Sequence, residues 1–413
     1  MIRKRIGVLF VTLIALAGSQ GLAQTELDME TAVEMYVTRN PNLQAVREQI
    51  EMARGRLNQS GVWPNPTLNF SQEGFPFGDS QASFWEDQEF HFGAGQLFEL
   101  GGKRGHRQEV ARLDLNAREL EIEDVLRLGK ARVKRAFLAA HYAQRKRELA
   151  EDLFSTYERL RDIHQQRLEA GDVSGLSQLK INGEVLRYLT AVAQAQIDLT
   201  QAWNELAALI AWPGLIQPKL ELPEGIEGME KSLKELQQLA LQSRSDLAVQ
   251  RVEVQKNQAD IRLQRAQRVP DLTVGGGYKR DFGQNTYFLG LDLPLPLFDR
   301  NQGRIAEESA NARRMQNLLT WKELQILREV EGAFENFVTH RENVERIQQS
   351  VIDQVDQVAR ITSQSYLEGE ASLLDYLDAL RVQLDTSMDF YELLHQVKRA
   401  RVTLEMAVGG DLN

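Results

Sequence analysis

Cysteine is absent from the 413 residues. That excludes disulfides, thiolate zinc sites, iron–sulfur clusters, a cysteine nucleophile and a lipidated N-terminal cysteine. Histidine is scarce. The six, at positions 91, 106, 141, 164, 340 and 395, include no pair at metal-ligand spacing, so a zinc enzyme built on a local motif is not expected. No nucleotide loop and no local nucleophile–base constellation occurs, and neither an enzymatic activity nor a cofactor nor a metal site is expected. Positive charge is in deficit: 49 Lys and Arg face 59 Asp and Glu, for a net charge of −10. An acidic chain has no electrostatic reason to seek nucleic acid. Long apolar runs are missing as well. The stretch Ile6 to Gly18 holds 13 residues, where a membrane-spanning helix needs about 20. Preceded by Arg3-Lys4-Arg5 and followed by Gly21-Leu22-Ala23, it reads as a signal peptide over 1–23, cleaved before Gln24. A secreted chain without disulfides or a helical span is expected in the periplasm or the outer membrane.

Proline is rare and sharply placed. All ten, at 41, 64, 66, 76, 213, 218, 223, 270, 294 and 296, leave two tracts, roughly 103–212 and 303–413, with none. Both tracts are rich in good helix formers. In the second, Val330, Phe337, Val344, Val351 and Val358 recur every seven residues, with Leu327 and Phe334 interleaved, which predicts a coiled-coil seam. Each tract is interrupted once, by Ala170-Gly171-Asp172-Val173-Ser174-Gly175 and by Glu368-Gly369-Glu370-Ala371-Ser372. Glycine ends a helix and serine starts the next. Each tract is therefore expected to be a helical hairpin whose long arm reaches about 100 Å.

Landmarks recur in order. Asn42-Leu43 corresponds to Asp246-Leu247, Pro66-Thr67-Leu68 to Pro270-Asp271-Leu272, Arg107 to Arg304 and Gly171 to Gly369. The chain is read as a duplicated unit of about 200 residues. After the signal peptide, a first repeat over 24–212 carries a helix 29–63, strands 66–74 and 86–98, and a helical hairpin 103–211. A linker 213–229 leads to a second repeat over 230–413, with a helix 230–268, strands 270–279 and 286–297, and a hairpin 303–409. The helices 29–63 and 174–211 together match the long arm, and are expected to stack end to end beside it.

The strand segments alternate. Leu68 and Phe70, Phe90 and Phe92, and Tyr287, Leu289 and Leu291 are interleaved with small or polar residues, and Trp63 and Trp85 lie nearby. Such alternation with aromatic ends fits strands that cross a membrane, and also fits a soluble sheet with one buried face. If the strands lie in lipid, four cannot close a barrel, and an open edge there is too costly. Several chains must then pool their strands.

Asn40-Pro41-Asn42-Leu43, Pro64-Asn65-Pro66-Thr67-Leu68, Glu99-Leu100-Gly101-Gly102-Lys103-Arg104, Pro294-Leu295-Pro296-Leu297-Phe298, and Gly369 followed by Leu373-Leu374-Asp375-Tyr376-Leu377-Asp378-Ala379 carry a family resemblance. Over essentially the whole mature length the chain resembles the TolC-like outer-membrane efflux proteins. The Glu-Leu-Gly-Gly-Lys-Arg stretch is similar to the CzcC-like heavy-metal branch. The resemblance implies a mainly α fold with a small membrane β part: a homotrimer whose 12 strands form one barrel, continuous with a coiled-coil tunnel in the periplasm. It implies a passive exit duct, sitting in outer-membrane lipid and working with a periplasmic adaptor and an inner-membrane transporter of the resistance-nodulation-division type. Drug efflux and type I protein secretion use similar ducts, and a periplasmic coiled-coil adaptor is the alternative of another class.

The same resemblance implies residue roles. Asp375 and Asp378 match a pair of aspartates ringing the periplasmic entrance, where mutual repulsion would raise some of their pKa values. Tyr366 stands where the family places a tyrosine that helps hold the entrance shut. A basic residue found near this turn in the family is Ala371 here. Gly171, Asp172, Val173, Leu367, Gly369 and Glu370 form the tips expected to meet the adaptor. Gly101 and Gly102 are expected to swing the backbone from strand to helix, with Lys103 and Arg104 at the lipid–periplasm boundary.

Overall fold

The computed structural model describes residues 26–412 apart from 75–87, 215, 224, 227, 282, 348 and 349. The signal-peptide segment 1–23, Trp85 and the first residues of the strand expected over 86–98 lie outside the described residues.

A two-residue strand, β1 (Glu26–Leu27), leads into helix α1 (Met29–Arg39), capped by Asp28, whose carboxylate accepts from the Thr31 amide at 2.7 Å. The single helix expected over 29–63 is two. Pro41 disfavours the helical conformation for the residue before it, and Asn40 is extended (φ −65, ψ 118). Pro41 itself sits at the first position of α2 (Pro41–Ser60), where its missing N–H costs nothing. Strands β2 (Thr67–Glu73) and β3 (Glu89–Phe98) follow, then α3 (Lys103–Ala170) and α4 (Gly175–Ile210). At 68 residues, α3 is about 100 Å long.

The second half begins with β4 (Lys219–Leu220), which pairs in parallel with β1. The helix expected over 230–268 is again two, α5 (Leu233–Ser243) and α6 (Ser245–Ala266), broken where Arg244 is extended. Next come β5 (Leu272–Asp281) and β6 (Gln284–Asp292), then α7 (Gln302–Ile347), α8 (Ser350–Glu368) and α9 (Leu373–Val408). The strand expected to run to 297 stops at Asp292, because Pro294 and Pro296 have no N–H to give a ladder.

Packing repeats along with the sequence. Helices α2 and α4 both lie on α3, and α6 and α9 both lie on α7. One core gathers Leu43, Phe137, Leu206 and Ile210; the other gathers Leu247, Phe337, Leu404 and Val408. All eight are essentially buried, each contributing about 1.5–3 kcal/mol. Helix α3 also packs on α6 and α9, which joins the halves. The heptad seam holds through Val330, Phe337 and Val344, but Val358 on α8 is 55% exposed. A third core at the far end of the helices draws Tyr157 and Leu160 of α3, Ile181 of α4, Tyr366 of α8, and Tyr376 and Leu380 of α9 together.

The four longer strands form one antiparallel sheet in the order β2-β3-β5-β6. Register segregates its faces. Phe70, Phe92, Tyr278 and Tyr287 make one row across all four strands, and Leu68, Ala94, Gly276 and Leu289 the next. The opposite face carries Ser71, His91, Lys279 and Thr286 in one row, and Glu73, Glu89, Asp281 and Gln284 in another. The apolar face is bare: Leu68 is 74% exposed, Tyr287 88% and Leu289 80%. Among the described residues, β2 and β6 are edges with no outer partner. No described helix is long and apolar enough to cross a membrane.

Candidate functional site

Three regions carry the features singled out in the sequence: the sheet, its junction with the helices, and the tips. At the junction, Gly101 and Gly102 take left-handed conformations (φ +69 and +72). A Cβ on Gly101 would lie 2.9 Å from Cβ of Val269, so only glycine fits this turn. The turn aims Lys103 inward. Its side chain is only 10% exposed and its ammonium lies 2.6 Å from the Asp271 carboxylate, at the start of β5. The same Asp271 oxygen accepts from the Leu100 amide at 3.1 Å. Arg107 forks onto both oxygens of Glu99 and also donates to the Ser60 carbonyl at 3.3 Å. Arg104 lies over the Trp63 ring, 4.6 Å from its centroid. Strand, hairpin and helix are thereby locked together across the two repeats.

Sequence reasoning placed the glycines and missed Asp271, Glu99, Arg107 and Trp63 as their partners. The eight-residue interval from Glu99 to Arg107 crosses the turn, so no helical or strand period signals it. Asp271 is 168 residues from Lys103.

At the other end, α3 and α8 stop by the same device. Gly171 and Gly369 are left-handed (φ +85 and +84). The Asp172 backbone amide donates to the Arg167 carbonyl at 2.9 Å, and the Glu370 amide to the Ser365 carbonyl at 2.8 Å, so orphan carbonyls of the last turn are satisfied. Ser174 and Ser372 cap the returning helices. Gly171, Asp172, Leu367, Gly369 and Glu370 are exposed and Val173 is half-buried. Arg167 reaches from one tip to the other, donating to the Leu367 carbonyl at 3.4 Å.

The three residues assigned to the entrance separate into two settings. Asp375 and Asp378 lie on the exposed first turns of α9. Asp375 is the third residue of a capping box: its carboxylate accepts from the Ser372 amide at 3.1 Å and from the Ser372 hydroxyl at 2.6 Å. Those bonds hold its pKa below the ordinary carboxylate value. Within one chain the shift therefore runs opposite to the rise expected from mutual repulsion. Tyr366 is buried instead. Its ring stacks between His164 (centroids 5.8 Å apart) and Tyr376 (5.4 Å), its hydroxyl bonds His164 Nε2, and Arg167 lies 5.6 Å above it. His164 and Tyr376 were missed. A histidine inside a helix carries no periodic signal, and its partner is 202 residues away.

Histidine also lines a groove between α3 and α9, formed by His141, Tyr142, Leu394, His395 and Lys398. Burial, with the positive charges of Arg145 and Lys398, pushes His141 down to about 4. No group of three His, Asp or Glu able to hold a metal ion occurs among the described residues.

The comparisons with known proteins agree with this geometry. The chain is 26% identical over 389 residues to the cobalt-zinc-cadmium resistance protein CzcC of Cupriavidus metallidurans, covering 93% of this chain and 90% of that one. It superposes on a crystal structure of CusC over 92% of both chains, with a TM-score of 0.74 at 20% identity. It superposes on the open state of the Neisseria gonorrhoeae MtrE outer membrane channel over 93% of this chain and 89% of that one, with a TM-score of 0.75 at 17% identity. Residues 33–211 and 236–410 each match the family described as outer membrane efflux protein. Matched twice, once by each repeat, the chain belongs to the outer membrane efflux protein family.

Proposed function

We propose that three copies of this chain pool their sheets into one closed 12-stranded barrel, and that the duct so formed passes heavy-metal cations out of the cell. The observation that carries the assembly is the open sheet with one apolar face and two unpaired edges. In hydrocarbon an unpaired amide costs several kcal/mol, and the apolar row of Leu68 and Leu289 belongs against lipid. Pairing β6 of one copy with β2 of the next removes both edges at once. The polar face, with Ser71, His91, Lys279 and Thr286, then lines a watery interior.

Helix order supports the same closure. The first-repeat helices α2 and α4 pack on α3, α3 packs on α6 and α9, α7 packs on both of those, and α8 packs on α9. Unpartnered apolar side chains occur on both outer flanks, Leu179 and Leu186 on α4 and Trp321 and Leu324 on α7. Such faces are what neighbouring copies would cover.

The cation class rests on the name of the CzcC relative and on the acidic entrance. Three copies would bring six carboxylates from Asp375 and Asp378 around one axis, a ring that favours cations. The tips Gly171, Asp172, Val173, Leu367, Gly369 and Glu370 would dock a periplasmic adaptor, and an inner-membrane transporter of the resistance-nodulation-division type would supply the energy.

The test is genetic and electrical. A strain lacking its own metal-efflux duct, given this chain with its transporter and adaptor, should recover tolerance to cobalt, zinc and cadmium, and the purified protein should form pores in planar bilayers. Pores without metal tolerance would overturn the substrate class. Absence of pores would overturn the duct.

A further inference from the structure

His164 is the one histidine held almost fully inside a core, 1% exposed, in the third core at the tips. It lies about two turns before the end of α3. Nε2 bonds the Tyr366 hydroxyl, the two rings are parallel within 6°, and Nδ1 has no hydrogen-bond partner. This contact joins the tip of the first helical hairpin to the tip of the second within one chain. Whichever nitrogen carries the proton of the neutral ring, the doubly protonated ring holds an N–H on Nδ1 with no acceptor. It would place a charge among Leu160, Ile181, Tyr366 and Tyr376. The groups that face it are Arg167 on its own helix, Tyr366 on α8 and Tyr376 beyond it on α9. Arg167 adds like charge.

We propose that the His164–Tyr366 contact is an acid-released latch: it ties the two tips of each chain together while His164 is neutral, and protonation of His164 lets them part. As the tips frame the entrance of the proposed duct, the consequence for conduction rests on that reading; the separation of the tips does not.

The direction follows from linkage. In the latched state burial, with the Arg167 charge, holds the His164 pKa below 6.5. A released, hydrated imidazole returns to about 6.5. The released state therefore binds more protons, so the latch is at full strength above about pH 6.5 and weakens as pH falls below it. Between pH 7.5 and 5.5 the equilibrium shifts toward release by up to about tenfold.

A chain without cysteine accepts labels cleanly. With Asp172→Cys and Glu370→Cys, spin labels on the two tips report their separation by pulsed electron resonance on the full trimer. The latch predicts a short distance at pH 7.5 and growth of a longer population by up to about tenfold relative to the short one at pH 5.5. His164→Gln, which keeps a hydrogen-bonding group but cannot be protonated, should hold the short distance at both values. Tyr366→Phe should show the longer population at both. Equal acid response in the wild type and His164→Gln, or no response in the wild type, would overturn the latch. Conductance in planar bilayers is the separate arm. No pores from any variant would refute the duct while leaving the distance result to decide the latch. Pores whose opening is equally pH-dependent with and without His164 would refute the latch alone.

Discussion

The Lys103 ammonium lies 2.6 Å from the Asp271 carboxylate, binding the first residue of the longest helix to the foot of a strand in the other repeat. Lys103 is buried there, and removing its counter-ion leaves an uncompensated charge. Asp271→Asn should lower stability by about 1–3 kcal/mol, read as an earlier thermal transition. Lys103→Met, which removes charge and desolvation together, should cost less. Equal losses from the two would show that the ion pair has no special part in the junction.

Asn40 and Arg244 stand at equivalent breaks in the two repeats. Asn40 caps the Leu43 amide at 3.1 Å and donates to the Leu209 carbonyl at 2.7 Å; Arg244 donates to the Ala407 carbonyl at 3.1 Å and pairs with Asp246 at 2.7 Å and with Glu329. Burial by itself would raise the Asp246 pKa, but Arg244 and Lys322 outweigh it and hold the carboxyl well below its ordinary value. Asn40→Ala should cost about 1–2 kcal/mol and Arg244→Ala about 3 kcal/mol, measured by denaturant unfolding. The Arg244 loss should shrink as pH falls through the acid range and Asp246 is neutralised.

The duplication was legible because proline and glycine mark backbone conformations that no neighbour can override. Gly171 and Gly369 end helices at the tips, and Pro294 and Pro296 stop a strand. The breaks at Asn40 and Arg244 were not read. Pro41 signals the first through the residue before it, but Arg244 has no such marker and is set by bonds to Ala407 and Glu329, far along the chain. The site divides in the same way. The exposed tip residues follow from the turns, whereas the setting of Tyr366 depends on His164, a contact visible only once α3 and α8 lie side by side. Val358 shows the reverse error: a sustained heptad fits the core as far as Val344, and the same period leaves Val358 exposed on α8.

Asp260 is pushed up to about 6, by burial first and then by Glu308, with Glu253 and Asp114 adding to it. An aspartate with a raised folded pKa weakens the folded state as pH rises from about 4 through 6, where the unfolded chain gives up its proton first. Asp260→Asn should therefore raise the thermal midpoint at pH 7.5 and leave it unchanged near pH 4. A lower midpoint at pH 7.5 would mean that the charged carboxylate is needed.

Thr286 and Leu289 sit on opposite faces of the same edge strand. Leu289→Arg should cost about 2–4 kcal/mol in lipid, seen as loss of the outer-membrane-assembled form in cell fractionation. Thr286→Arg should assemble normally and shift pore selectivity toward anions. Equal tolerance of both would contradict the assignment of the faces.

The central claim is that β6 of one copy completes the sheet at β2 of the next. Within a chain these strands are separated by β3 and β5, roughly 14 Å at the usual strand spacing, too far for a disulfide. A cysteine at Asn69 on β2 combined with single cysteines along residues 285–291 of β6 tests the pairing directly, since the chain has no thiol of its own. Oxidation in membranes should give, at one register, a covalent species of three chains on a denaturing gel. Chains that stay single at every position would contradict the account.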